Sequence, residues 1–352
     1  MKICYFGDFD PEYARNRVII RGLKENGADV LFCHTTLTGL KGLWDLFKKH
    51  RSLGDKYDIL IVGYSDSRFI APLAWLISDK KIIWDAFYSL YDSWVYDRKI
   101  VAPGSLKAKL YWFLDWVNCK LADSVLLDTN EHIKYFSKTF KTSNSKFLKV
   151  LVGTDDDIFY PREKDQNNSR FIVHFHGKFI PLQGLEYIIR AARILKNEKV
   201  AFRIIGTGQE YNRIKNLADE LKSTNILWVG RTEYSELTES IKNADVCLGV
   251  FGDTPKIQRV IPNKVYESVA MRKPVISGNT PAIRELFTDG KNMLLCKIAD
   301  PEDLAAKILE LSADPDLRDS IAQKGYELFK EFATPQIIGQ ELIKNLGQFM
   351  KD

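Results

Sequence analysis

An α/β fold with two doubly wound parallel sheets is what this 352-residue sequence predicts, and three observations carry the prediction. The length exceeds one ordinary domain. Short, continuous apolar runs recur through both halves, as strands buried on both faces require. Longer stretches of helical period separate those runs.

In the first half the strand candidates are KICYFG (2–7), DVLFCH (29–34), DILIVG (58–63), KIIW (81–84), SVLLD (124–128) and FLKVLVG (147–153). The second half repeats the rhythm with RFIVHFHG (170–177), AFRIIG (201–206), NILWVG (225–230), DVCLGV (245–250), KPVISG (273–278) and NMLLC (292–296). After the first run, NRVIIRGLKENG predicts a helix with Val18, Leu23 and the Ile19–Ile20 pair on one face and Gly27 as its stop. SLKAKLYWFLDWVNCKLAD predicts another, with Leu106, Leu110, Phe113, Leu114, Val117 and Leu121 as a core-facing stripe. The polar stretch 155–170, containing Pro161, separates the two patterns. The expected organisation is therefore an N-terminal doubly wound domain over 1–160 and a second over 161–335. A C-terminal helix over 336–352 is expected to pack back on the first, and a ligand is expected between the facing strand ends.

The sequence is 45% hydrophobic and 28% charged, which excludes disordered, collagenous and coiled-coil chains. Its net charge of +5 is spread evenly, with 25 basic against 22 acidic residues over 1–165 and 26 against 24 beyond. A nucleic-acid binder would cluster that charge, so no nucleic-acid partner is expected. Five cysteines, odd in number and without a C-x-x-C pair, read as free thiols in a reducing compartment. With no signal-like start and no long apolar span, a cytoplasmic protein is expected.

A dinucleotide fingerprint would place G-x-G-x-x-G after the first strand, but GDFDPEYARNR has one glycine there. Arg15 and Arg17 instead suggest an anion site at a helix start, against the plainer reading of solvated charge. The segment WDAFYSLYDSWVYDRK (84–99) mixes aromatic rings with Asp85, Asp92 and Arg98, a surface suited to sugar rings. An irregular packed loop is the competing reading. Trp112 and Trp116 fall outside the apolar stripe, beside Lys109 and Lys120, and five lysines follow over 134–149 without an acid. Tryptophan among lysines fits a helix face resting on an anionic membrane.

In the second half, HFHGKFIPLQGLEYIIRAARIL can bring Lys178 and helix amides onto a phosphate. Gly206 and Gly208 in IIGTGQE mark a place where a ligand can approach the backbone. His174 and His176 alternate along a strand and are expected to point to opposite faces, one of them toward the ligand.

From IPNKVYESVAMRKPVISGNTPAIRELFTDGKNMLL the chain resembles the retaining glycosyltransferases of family 4, with the GT-B fold of two facing Rossmann-like domains and an interdomain cleft. GKFIPLQG, GTGQE, ILWVGRTEYSELTESIKNADVCLGV and TDGKNMLL fall in that family's order, and VGTDDDIFYP resembles its crossing between domains. By the resemblance, Lys178 stands where the family grips the donor diphosphate, and Glu267 where it binds the ribose hydroxyls. Pro262, Asn263 and Lys264 would approach the diphosphate and sugar, and Arg231 and Thr232 would line the base.

Three positions depart from that pattern. Gln183 replaces a second lysine of the diphosphate grip, with Lys264 as the candidate for the missing charge. Arg259 stands where a second glutamate is usual, eight positions before Glu267. Asp85 stands where many members place a histidine. The run Asp155–Asp156–Asp157 lies in the connection between domains, and no metal is expected there.

The resemblance implies transfer of a sugar from a nucleotide-diphosphate donor to a hydroxyl, with retention, in cell-surface polysaccharide or glycolipid assembly. Lys178, Lys264 and Asp85 are the catalytic candidates. Glu267, Asn263, Pro262, Arg259, Gln183, Gly206, Gly208, Arg231 and Thr232 are the donor-binding ones. Arg15, Arg17, Asp92 and Arg98 are the acceptor-side candidates. The expected partners are the nucleotide sugar, a glycan or lipid-linked acceptor and an anionic membrane at the inner face of the plasma membrane, without a metal cofactor. The competing functions are a non-catalytic two-domain sugar or nucleotide binder and an inverting GT-B transferase.

Overall fold

The computed structural model describes residues 1–165 and 169–351. Residues 166–168, within the polar stretch assigned above to the domain boundary, lie outside the described residues. The chain divides into two compact units, Met1–Gly153 with Thr334–Asp352, and Thr154–Ala333.

The first unit runs β1 (Lys2–Gly7), α1 (Ala14–Glu25), β2 (Asp29–His34), α2 (Gly39–Leu53), β3 (Ile59–Val62), α3 (Ile70–Ile77), β4 (Ile82–Asp85), α4 (Leu106–Leu121), β5 (Ser124–Leu127), α5 (Asn130–Phe140) and β6 (Phe147–Lys149). Its sheet is parallel in the order β2-β1-β3-β4-β5-β6. The second unit runs β7 (Phe171–His176), α6 (Leu185–Ile194), β8 (Val200–Ile205), α7 (Tyr211–Glu220), β9 (Ile226–Val229), α8 (Tyr234–Lys242), β10 (Val246–Leu248), α9 (Asn263–Ala270), β11 (Val275–Gly278), α10 (Pro281–Arg284), β12 (Leu294–Cys296), α11 (Pro301–Ala313) and α12 (Pro315–Phe332). Its parallel sheet has the order β12-β11-β10-β7-β8-β9. A last helix, α13 (Pro335–Phe349), belongs to the first unit.

Each apolar run of the sequence is thus a strand, and the central ones are buried on both faces, as with Ile59–Val62. In each sheet the first strand has neighbours reached by crossovers in opposite directions. This makes a crevice at its carboxyl end, between β1 and β3 in one sheet and between β7 and β10 in the other. The three C-terminal helices begin alike. Asp300, Asp314 and Thr334 each cap the first turn with a side-chain oxygen, and each is followed by a proline in that turn.

The helix α13 reaches α1 through paired glycines. A Cβ at Gly22 would meet the Pro335 carbonyl oxygen at 2.1 Å and the Gly339 nitrogen at 2.9 Å, so the two backbones touch where side chains would hold them apart. Ile338, Leu342 and Leu346 then pack with Val18, Ile19 and Leu23 under one face of the sheet.

Helix α4 corrects a sequence expectation. Its buried positions are Ala108, Asp115, Asn118 and Cys119, while Leu106, Leu110 and Phe113 are exposed. The anticipated apolar stripe faces solvent at its N-terminal end. Trp112 and Trp116 pack partly buried against the core instead, the Trp112 indole donating to the Thr139 carbonyl oxygen of α5 at 3.2 Å. The polar Asp115 and Asn118 turn inward because a buried arginine, Arg68, meets them there. Arg68 Nε donates to Asp115 Oδ1 at 3.0 Å, and Asn118 Nδ2 donates to the Arg68 carbonyl oxygen at 2.9 Å.

Candidate active site

The crevice of the second sheet gathers most of the donor-side candidates. β7 ends at His176, and Gly177–Lys178 turns the chain out over the carboxyl edge, leaving Lys178 exposed. Opposite, Pro262 leads into α9, whose first two turns carry Asn263, Lys264 and Glu267. Lys264 is almost fully buried, with Nζ donating to Gln183 Oε1 and lying 3.6 Å from the centroid of the Phe175 ring. A Cβ at Gly177 would lie 2.9 Å from Nζ, so this ammonium sits directly under the turn that carries Lys178.

Lys264 is electrostatically uncomfortable. A cation in the first turn opposes the positive end of the helix dipole. Burial pushes its pKa well below 10.5, and Glu267, one turn on, offsets this only in part. An arriving anion would relieve both costs.

Glu267 is also nearly buried and is held from two sides. Oε2 lies 2.7 Å from His176 Nε2, and Oε1 accepts from the Tyr234 hydroxyl at 3.0 Å. His176 Nδ1 in turn lies 2.9 Å from His174 Nε2. The two histidines share one face, which corrects the expectation that they diverge. Residues i and i+2 of a strand point the same way, and only neighbours alternate. Burial, with His176, Arg203 and Lys264 nearby, drives the His174 pKa well below 6.5, so that ring is neutral. His176 thus sits between the two, with Nε2 toward Glu267 and Nδ1 toward His174. The three side chains form a contiguous chain from His174 through His176 to Glu267. No sequence motif announced it, although His176 ends the first strand at the ligand edge.

Gly206 and Gly208 have another explanation than ligand approach. A Cβ at Gly206 would meet the Gly177 carbonyl oxygen at 2.0 Å, and one at Gly208 would meet the Phe179 nitrogen and oxygen at 2.7 Å. The glycines let the turn after β8 press against the turn after β7. Arg231 and Thr232 lie in the turn after β9, ahead of Tyr234, and Arg259 closes a short 3₁₀ turn, Pro255–Arg259, before α9. Of the three aspartates at 155–157, Asp155 Oδ1 accepts the Asp157 amide proton at 3.2 Å within a turn.

On the first unit the structure redistributes the candidates. Arg15 is completely buried and does not form an anion fork at a helix start. Its guanidinium donates to Asp85 through Nε and Nη2 at 3.0 Å, and through Nη1 to the carbonyl oxygens of Val150 and Leu151 at 2.7 and 3.0 Å. Burial works against the charge, but Asp85 outweighs it and the Arg15 pKa is raised. Asp85, a catalytic candidate from the sequence, is consumed in this pair. Asp92 is fully buried in the π-helical turn Asp92–Asp97 that follows, and Arg98 lies 4.9 Å over the Trp94 ring. The packed-loop reading of 84–99 holds for these residues. Arg17 remains near the helix start, partly exposed, and donates to the Glu12 carbonyl oxygen at 3.3 Å.

What the carboxyl edge of this sheet does present is a cluster of rings from three separate turns. Tyr13, Tyr64 and Phe87 lie with centroids 4.9 Å apart for Tyr13–Tyr64 and for Tyr64–Phe87, and all three are partly exposed. Asn16 ties the turns together, accepting from the Tyr64 amide at 2.9 Å and donating to the Asp10 carbonyl oxygen at 2.9 Å. Partly exposed aromatic faces of this kind suit the C–H faces of sugar rings. Only Phe87 lies in the segment singled out by sequence.

Residues 156–328 match the family described as Glycosyl transferases group 1. The chain is 26% identical over 231 residues to an uncharacterized glycosyltransferase of Methanocaldococcus jannaschii, covering 60% of this chain and 62% of that protein. It is 26% identical to a lipopolysaccharide core biosynthesis glycosyltransferase of Rhizobium meliloti, covering 52% of each. It therefore spans less than two thirds of either relative. Among solved structures, Anabaena HepE in complex with UDP-glucose matches with a TM-score of 0.73 over 99% of this chain and all of the other. At 13% identity that likeness is one of fold, and the fold is the GT-B architecture.

Proposed function

From the match of residues 156–328 to glycosyl transferases group 1, we propose that the whole chain transfers a sugar from a nucleoside diphosphate donor to a hydroxyl acceptor, with retention. The observation that carries the proposal is the buried, destabilised cation Lys264 beside exposed Lys178 and a carboxylate, Glu267, oriented by His176. In this reading Glu267 holds the ribose hydroxyls, and the two lysines with the α9 amides take the diphosphate.

The bond from the anomeric carbon to the diphosphate breaks, and negative charge grows on the leaving group as the sugar gains oxocarbenium character. Fixed cations and amides are worth most at that point, because the charge they meet is largest in the transition state. The acceptor hydroxyl attacks from the face the diphosphate leaves and passes its proton to a phosphate oxygen. No enzyme nucleophile and no metal ion enter this scheme. A sugar of the acceptor lies against Tyr13, Tyr64 and Phe87. UDP-sugars are the first donors to try, since Anabaena HepE is seen with UDP-glucose. A relative named for lipopolysaccharide core biosynthesis supports a glycan or lipid-linked acceptor, and a location on the inner face of the membrane is part of the same proposal.

Incubation with a panel of nucleotide sugars, following released nucleoside diphosphate, tests the proposal. Release with at least one donor, lost in Lys178→Ala while the variant stays folded, supports it. Nucleotide binding without release from any donor leaves the non-catalytic binder, and an inverted anomeric product leaves the inverting transferase.

A further inference from the structure

Helices α2, α3 and α4 lie side by side on one face of the first sheet, with α3 packed between the other two. Their outer surface carries several large, exposed apolar side chains. Leu40 and Leu106 are each 85% exposed, Leu76 is 74% exposed and Trp44 58%. Between α2 and α3 lies an apolar groove of about 760 Å³, walled by Leu40, Leu43, Phe47, Leu73, Leu76 and Ile77. Contiguous exposed apolar surface of this kind marks an interaction site.

The charges around it select the partner. On α2, Lys41, Trp44, Lys48 and Arg51 follow at spacings of three, four and three, so they form one row along the helix beside the apolar wall. Lys48 lies 5.4 Å over the Trp44 ring. On α4, Lys107 and Lys109 flank Leu106 and Leu110. The acids here are few and mostly paired, with exposed Asp55 and Asp79 at one end of the groove. Asp45 is bound to Lys49 at 2.7 Å, Asp115 is buried against Arg68, α3 carries no charge, and Asp55 and Asp79 at the end of the groove both pair with Lys80. Among the described residues no helix is long and apolar enough to cross a membrane.

We infer that this α2–α3–α4 face docks on an anionic lipid bilayer, with α2 and α4 lying in the plane of the interface. Trp44, Leu76 and Leu106 enter the boundary between headgroups and acyl chains, and the lysine–arginine row meets the anionic headgroups. A second copy of the chain fits less well. A two-fold contact through the same face would bring two copies of the basic Lys41–Lys48–Arg51 row into one interface. The inference deepens the membrane location proposed above by assigning the surface. It differs from the sequence-level expectation, which placed the contact at Trp112 and Trp116.

Flotation with vesicles of phosphatidylcholine alone, and of phosphatidylcholine with phosphatidylglycerol, tests it on the full chain. Wild type is expected to float with the anionic vesicles only, and to be released as salt is raised. Trp44→Glu with Leu76→Glu, and separately Lys41→Glu with Lys48→Glu, should each reduce the bound fraction at least tenfold while circular dichroism and nucleoside diphosphate release stay unchanged. A wild type that floats while both variants float equally well overturns the assigned face and leaves the membrane location standing. A wild type that does not float overturns both. Loss of a concentration-dependent dimer in Trp44→Glu/Leu76→Glu, without flotation of wild type, makes the face a contact between copies. None of these outcomes bears on donor chemistry, which the nucleotide-sugar panel reads separately.

Discussion

Lys264 donates from Nζ to Oε1 of Gln183, two buried side chains from opposite walls of the same crevice. The pair accounts for a departure visible in the sequence. A lysine at 183 would place two ammonium groups in contact, so the neutral amide lets the cation come from α9 instead. One positive charge is kept and its origin moves.

Lys264→Met should therefore lower turnover by about 10²–10³-fold, the usual cost of removing one stabiliser of developing charge. Steady-state release of nucleoside diphosphate measures it, and wild-type turnover would remove Lys264 from the site.

The same residue predicts proton uptake. Its pKa is depressed by burial in the free protein, and a bound diphosphate raises it again. Between those two values, binding takes up a proton. Titration calorimetry in buffers of different ionisation enthalpy reads the number of protons directly. In the unliganded protein the folded state holds fewer protons than the unfolded one between the depressed value and 10.5, so this group's contribution to stability rises with pH across that window. Proton uptake should vanish in Lys264→Met.

His176→Ala should raise the KM for the donor about tenfold with a smaller change in kcat, because it releases Glu267 from one of its two anchors without removing it. His176→Gln, whose amide can still donate, should recover part of the loss. Equal loss in kcat and kcat/KM with unchanged KM would instead mark a transition-state role.

Arg15→Met should destabilise the first unit by about 3–5 kcal/mol, the cost of leaving a buried carboxylate unpaired. Asp85→Asn should behave similarly in urea unfolding. If Asp85→Asn kept full stability but lost turnover, Asp85 would return to the catalytic set.

Gly22→Ala and Gly339→Ala should each cost about 1–3 kcal/mol by forcing α1 and α13 apart. Thermal unfolding should show this as a Tm drop of several degrees, with donor release unchanged below the transition.

Apolar runs were enough to find the twelve strands of the described residues, most directly the central ones, because a strand buried on both faces needs such a run whatever surrounds it. The glycine-flanked turn carrying Lys178 was legible as local chemistry, whereas Lys264 and Glu267 were reached through the family resemblance. Tertiary structure decided what depends on partners far apart in sequence. Arg15 and Asp85, 70 residues apart, neutralise each other only once β1 and β4 share a sheet. The order His174–His176–Glu267 exists only because β7 and α9 meet across the crevice. On α4 the apolar stripe pointed to the core, yet Arg68 drew Asp115 inward and turned Leu106 and Leu110 to solvent. A buried ion pair with few geometric options outweighed the hydrophobic pattern, and a face that reads as core became the surface assigned to the membrane.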